Sequence, residues 1–208
     1  MSIKTGMKRK KTTRAVGRPR SFDTGKALDA AMNVFWRKGY EGASLSELTK
    51  AMGVNRPSLY AAFGDKEALF RKVLDRYDEG PAAYLHHALN RSTARAAVEA
   101  LMLGAADLVT SSGNPVGCLF VQGALACGDG AEAVRGDLIL RRAAGEKAVR
   151  QRLKRAQAEG DLPPEASPAD LARFVVTVVH GIAVQAASGA ARNELRRVVR
   201  TALQAWPK

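Results

Sequence analysis

The sequence is poor in aromatic residues, nearly free of cysteine, and lacks the motifs that carry most enzyme chemistry. Only 6% of its 208 residues are aromatic although 46% are hydrophobic, so any core is built mainly from aliphatic side chains. The two cysteines, Cys118 and Cys127, are too few for a disulfide framework. At that spacing on one helix they would point to opposite faces and could not bridge each other. Reduced thiols and a cytoplasmic location are expected. No run of eighteen apolar residues occurs, which argues against a membrane protein. The N-terminal stretch is charged but has no apolar centre of the kind a secretory signal needs. No phosphate loop, His-Glu-x-x-His, metal-ligand cluster or nucleophile elbow is found, so neither an enzyme, a metal nor a cofactor is expected. There is no internal repeat, and no segment alternates apolar and polar residues convincingly enough to be a strand.

What is present is positive charge and helical periodicity. The net charge is +13, and residues 1–20 contribute Lys4, Lys8, Arg9, Lys10, Lys11, Arg14, Arg18 and Arg20 with no acid. This stretch reads as an unstructured basic arm suited to a polyanion, nucleic acid being the usual one. The plainer alternative is a solvated tail that aids solubility. Beyond it, Leu28, Ala31, Met32 and Phe35 follow helical spacing, and Gly39 ends that helix. Ser44 and Glu47 have the spacing of a capping box at the start of a short helix. Gly53-Val54-Asn55 supplies a turn, Asn55 an N-cap, and Pro57 a first-turn residue for the next helix. Leu59, Tyr60 and Phe63 give that helix its apolar side, and Leu69, Phe70, Val73, Leu74 and Tyr77 line a fourth.

A second block begins near Pro81. Helices are expected around Val98–Val109, over about 118–127 and about 131–159, and from Pro168, capped by Ser167. That last helix, to Ala187, is apolar on almost every side and must be buried in a core or against another chain. A final helix carries Leu195, Val198, Val199, Ala202, Leu203 and Trp206 on one face. The fold class is therefore all-α. It divides into a basic arm (1–20), a three-helix N-terminal unit (21–67) and a larger helical unit (68–208).

Two short helices joined by a tight turn make a helix-turn-helix, in which the first braces on the phosphate backbone and the second enters the major groove. The spacing of Phe35, Gly39-Tyr40, Ser44-x-x-Glu47, Gly53-Val54, Leu59-Tyr60-x-x-Phe63 and Asp65-Lys66-x-x-Leu69 closely resembles the DNA-binding domain of the TetR family of bacterial regulators. The resemblance covers roughly a quarter of the chain. It implies that Ser44, Ser58 and Lys66 contact phosphates, that Tyr60 touches the backbone or a thymine methyl, and that Ser46 and Arg56 read bases. An arginine in such a place can pair bidentately with guanine. Pro57 lies in the same first turn, and Arg18 and Arg20 stand where an arm could follow the minor groove.

The resemblance further implies a homodimer on double-stranded DNA and a pocket for a small-molecule effector, hence a repressor released from a palindromic operator. Phe174, Val178, Ile182, Leu195, Val199 and Leu203 are the expected dimer residues. Met102, Cys118, Phe120, Phe174 and Val178 are the candidate pocket lining, though an apolar core reads the same way. His180, on the apolar helix, fits a hydrogen-bonded core or interface histidine better than a ligand contact. Adjacent His86 and His87 offer no shared metal site without distant partners. Cys118, in Gly-Cys-Leu-Phe at a helix start, is either a buried structural thiol or a redox or electrophile sensor. A basic architectural DNA-binding protein without an effector is the remaining alternative.

Overall fold

The computed structural model describes residues 22–125 and 131–207. Arg14, Arg18, Arg20 and Cys127 lie outside the described residues. Among the described residues, regular structure consists of α-helices and short 3-10 turns.

Four helices make the N-terminal unit. Helix α1 (Thr24–Gly42) starts where the Asp23 carboxylate accepts from the amides of Gly25 and Lys26, and its backbone breaks at Gly39 (φ 70°) as the sequence implied. Helix α2 (Leu45–Met52) opens on a complete capping box: the Glu47 amide donates to Ser44 Oγ, and the Glu47 carboxylate accepts from the Ser44 amide. It ends at Gly53 in the left-handed region (φ 66°), where a Cβ would be strained. Helix α3 (Arg56–Phe63) is capped by Asn55, which accepts from the Ser58 amide at 2.9 Å. Helix α4 (Lys66–Glu79) is capped by Asp65. The boundary expected after residue 67 thus falls in the first turn of α4, whose Leu69, Phe70, Val73, Leu74 and Tyr77 are fully buried with Phe35, Trp36, Leu48 and Leu59.

The chain continues through the turn Pro81–Ala83 into α5 (Tyr84–Leu89), α6 (Ala94–Val109), α7 (Leu119–Leu125), α8 (Glu132–Ala158), α9 (Pro168–Ala187) and α10 (Arg192–Gln204). Helix α9 packs on α6 and α8, and α10 packs on α6 and α9. Leu119, Val134 and Leu138 from α7 and α8 enter the N-terminal core, which welds the two units together. Arg152, buried in α8, donates to the carbonyls of Leu89, Arg91 and Ser92 at 3.0–3.1 Å and so closes the free C-terminal end of α5.

Within one chain, helix α9 is buried on one side only. One side, Ala172, Val175, Ile182, Ala183 and Ala186, is buried, while Phe174 and Val184 are 37% and 42% exposed. By length and composition α9 is apolar enough to cross a membrane, with a mean hydropathy of 1.3 over its apolar window, which weakens the argument from run length alone. Here it packs as a core helix carrying Asp170, Arg173 and His180. Four of the six expected dimer residues are also reassigned. Ile182, Leu195, Val199 and Leu203 are at most 6% exposed because their helical registers face α6 and one another inside a single chain. The outward apolar residues are Phe174, Val184 and Val198, with Val178 half-buried beside them.

Candidate functional site

The candidate residues of the N-terminal unit stand at or near the starts of α2, α3 and α4. At the start of α3, Arg56 and Pro57 are exposed, Ser58 is half-buried, and Tyr60 is 46% exposed. Arg56 makes no ion pair among the described residues, so its guanidinium is available to a partner. The opposite side of α3, Leu59 and Phe63, is buried and fixes how the helix stands on the core. Ser46 is exposed on α2. Ser44 sits at the expected terminus, but its hydroxyl is engaged within the cap, donating to the Glu47 carboxylate at 2.9 Å and accepting from the Glu47 amide at 3.2 Å. The donors left at that helix start are the amides of Leu45 and Ser46, which the first turn cannot satisfy internally. Lys66 lies over the Tyr40 ring, 4.5 Å from its centroid, and burial lowers its pKa. The tight turn at Gly53 is held by the Val54 amide donating to the Thr49 carbonyl at 3.0 Å.

Lys38 pairs with Glu47, and that contact, with the Ser44 amide and hydroxyl, pulls the Glu47 carboxyl down to about 2. The carboxylate is therefore fully ionised at neutral pH. Its charge is directed into the cap and onto Lys38, which makes it a weak obstacle to a polyanion at the neighbouring amides.

Behind this unit lies a cavity of about 350 Å³, bounded by α4, α5, α6, α8 and α9 and by the start of α7. Cys118 and Phe120 line it, as the sequence suggested. Met102, Phe174 and Val178 do not. Met102 is fully buried in the α6 core, whereas its neighbour Leu101 reaches the cavity. On α9 the inward face is Val176, Val179 and His180, at i, i+3 and i+4, so Phe174 and Val178 fall on the adjacent face. His180 is correspondingly a cavity residue, contrary to the core or interface reading. Sequence reasoning also missed Tyr84, Arg142 and His86 as lining. Tyr84 follows a proline turn without a periodic partner, and Arg142 is one of many charges on a long helix whose faces the pattern did not separate.

The cavity touches the N-terminal core through aromatic contacts. Tyr77 of α4 is in the lining, and its hydroxyl donates to Cys118 Sγ at 3.5 Å. Its ring meets Phe120 and Trp36 edge-on, each with centroids 4.8 Å apart. Trp36 of α1 in turn donates from Nε1 to the Gly117 carbonyl at 3.0 Å in a buried bond. Burial, with the Cys118 neighbour adding to it, pushes the Tyr77 hydroxyl well above its usual value, so it stays a neutral donor. Residues 117–120 therefore hold both α1 and α4 while forming a cavity wall.

Comparison with known proteins bears on both regions. Residues 27–73 match the bacterial regulatory proteins of the tetR family, and residues 94–202 match the tetracyclin repressor-like C-terminal domain. The chain is 35% identical over 194 residues to the HTH-type transcriptional repressor ComR of Escherichia coli strain K12, covering 92% of each chain. It is 40% identical to the repressor BdcR of the same organism over 116 residues, 55% of this chain and 58% of BdcR. In structure it resembles a cysteine mutant of CifR, a TetR family transcriptional regulator complexed with 26-base-pair double-strand operator DNA. That likeness has a TM-score of 0.88 at 44% identity, over 91% of this chain and all of the other. This chain belongs to the TetR family of bacterial transcriptional regulators.

Proposed function

We propose that the protein is a homodimeric repressor that binds a palindromic operator and leaves it when a small molecule fills the cavity behind α4. The observation that carries this reading is the shared wall: Cys118 and Phe120 line the cavity, Tyr77 contacts both, and Trp36 ties the same loop to α1. A ligand pressing on that wall moves the two helices that support the reading head. Two recognition helices must stand about 34–36 Å apart to enter successive major grooves, so a small tilt of α4 suffices for release.

In this reading Arg56 and Ser46 reach base edges, while Ser58, Tyr60, Lys66 and the helix-start amides near Ser44 hold phosphates. Arg18 and Arg20 belong to an arm that follows the minor groove or flanking phosphates, and the regulator works in the cytoplasm beside the chromosome. The dimer forms through the outward face of α9 and α10, where Phe174, Val184 and Val198 are exposed and Gly181 leaves open space for a close helix approach. The residues 21–67 act as the reader and the remaining helices as sensor and dimer frame. The relatives named as repressors support repression over activation. A footprint on the DNA upstream of the protein's own gene tests the proposal. A palindromic protected site that disappears on adding a small molecule is the expected result; a diffuse, effector-insensitive footprint overturns it in favour of an architectural DNA-binding protein.

A second reading has its own observation: the only described thiol, Cys118, is half-buried in the cavity wall and accepts from Tyr77. A conjugated enone entering the cavity would add the Cys118 sulfur across its C=C bond, the C–S bond replacing the π bond and the thiol proton ending on the carbon next to the carbonyl, and so disturb the same loop. Cys118→Ser leaves operator binding intact and abolishes release by electrophiles if this is so; unchanged release rejects it.

A further inference from the structure

One cation in the cavity wall has no counter-ion among the described residues. Arg142 of α8 lines the cavity and makes no hydrogen bond or ion pair with any of them. Of the other charges of that wall, Arg141 donates to Asp75 and Glu146 accepts from Arg173 at 2.8 Å, while Asp78 has no ion pair among the described residues. His180, facing the same space from α9, also makes no hydrogen bond among the described residues. Burial, then the Arg142 charge, holds its pKa below the usual value, with Glu146 opposing, so the imidazole is neutral at neutral pH and keeps an N–H to donate. Asp78 is the remaining acid of the lining and comes from α4, and it is not among the charges acting on His180. Most of the rest of the surface is apolar, Leu101, Val149 and Phe120 among it.

We propose that the ligand of this cavity is a small amphipathic anion, its carboxylate or sulfonate held by Arg142 and His180 and its hydrocarbon body filling the apolar remainder. This rests on the reading of the cavity as the effector site. A guanidinium presents paired donors that match a planar carboxylate. A neutral ligand offers Arg142 at most an uncharged acceptor, a weaker replacement for the water it displaces than a carboxylate or sulfonate. The volume lies at the small end of ligand pockets, suiting two or three rings or a medium-length chain.

The test uses two fluorescent dyes that share one ring system, anilinonaphthalene sulfonate and the uncharged phenylnaphthylamine, titrated into the full-length protein. The sulfonate is expected to bind about tenfold or more tightly than the neutral dye, the scale of a hydrogen bond to a charged group. Arg142→Met removes that preference and leaves the neutral dye within about twofold, while Arg150→Met, an exposed site on the same helix, changes neither. On the unmodified protein octanoate displaces the sulfonate dye and octanol does so at least about tenfold less well, a measurement that does not depend on any variant folding. Equal binding of the two dyes, or a preference that survives Arg142→Met, overturns the anion proposal while the cavity reading stands. If neither dye binds, or if both bind Ala148→Leu unchanged, the cavity is not the ligand site and both readings fall.

Discussion

The two halves of the molecule fill their cores with different materials. The N-terminal core is a chain of touching rings: Phe35 meets Phe70, Tyr40 meets Phe70, Trp36 meets Tyr77 and Phe22 meets Phe63, with centroids 4.8–6.3 Å apart. Each of its four helices starts with a side-chain cap, at Asp23, Ser44, Asn55 and Asp65. The C-terminal core is made largely of Ala, Val and Leu, with Trp206 as the one aromatic among its buried residues that are described, and neither α5 nor α8 has a side-chain cap. Rings packed edge-to-face fill space in one arrangement. Alanine-rich helices approach closely at some points and leave a void at others. The first core suits a reading head of fixed shape, and the second suits a chamber.

That contrast can be broken most forcefully by a pair of core substitutions. Phe70→Ala removes a fully buried ring that touches two others and should lower unfolding free energy by about 3–5 kcal/mol, measured by denaturant titration. Ala148→Leu adds volume to the cavity wall and should change stability by less than about 1.5 kcal/mol while abolishing ligand response. Similar stability losses at both sites would mean that the halves do not differ in packing as described.

The reading head itself predicts a base-specific effect. Arg56→Ala should weaken operator binding by about 1–3 kcal/mol, roughly ten- to a hundredfold, and leave random DNA nearly unaffected. Deleting residues 1–16 should instead weaken both alike and flatten the salt dependence by about 0.9 in slope for each phosphate the arm neutralises. An unchanged slope after the deletion would make the arm a mere tail.

The sequence carried the two halves unequally, for the same physical reason. Caps, the turn glycine and the Leu59–Phe63 anchor are local, so residues within four positions of each other determine them, and the structure places each as expected. The cavity depends on which way α8 and α9 rotate, and that is decided by distant packing. Val176 and His180 are separated from Phe174 and Val178 only by helical register on a helix apolar on most faces. The same ambiguity sent Ile182, Leu195, Val199 and Leu203 to a dimer face when their side chains fill the core of one chain. Arg142 could not stand out among the charges of α8, because its distinction is having no partner among the described residues, and partners are visible only in three dimensions.

Trp36→Phe probes the joint between the halves. It keeps most of the ring packing but deletes the donor to the Gly117 carbonyl, leaving a buried acceptor unpaired. A stability loss of about 1–2 kcal/mol is expected, with near-normal operator affinity and a reduced effect of ligand on that affinity. Operator release unchanged by the substitution would show that the signal bypasses this bond.

The smallest effect distinguishes the halves by pH. In the N-terminal half, Glu47 has a carboxyl near 2, held down first by Lys38 and then by the Ser44 cap, against an ordinary value of 4.5. Its contribution to stability is complete above about 4.5 and is lost as the pH falls towards 2, because the unfolded chain takes up the proton first. In the C-terminal half, burial lowers His180 below 6.5, so the stability linked to its neutral form is present above that value and declines as the pH falls from there towards the folded-state pKa. Thermal unfolding followed from pH 7 downward should therefore show Glu47→Gln diverging least from the parent protein at the acid end, with a difference that salt reduces because the carboxylate is exposed. His180→Phe should instead flatten the slope that begins near pH 6.5 and respond little to salt. If the two variants shift the curve over the same pH range, the cap and the chamber are not titrating independently, and the division between a rigid reader and a responsive chamber loses its electrostatic support.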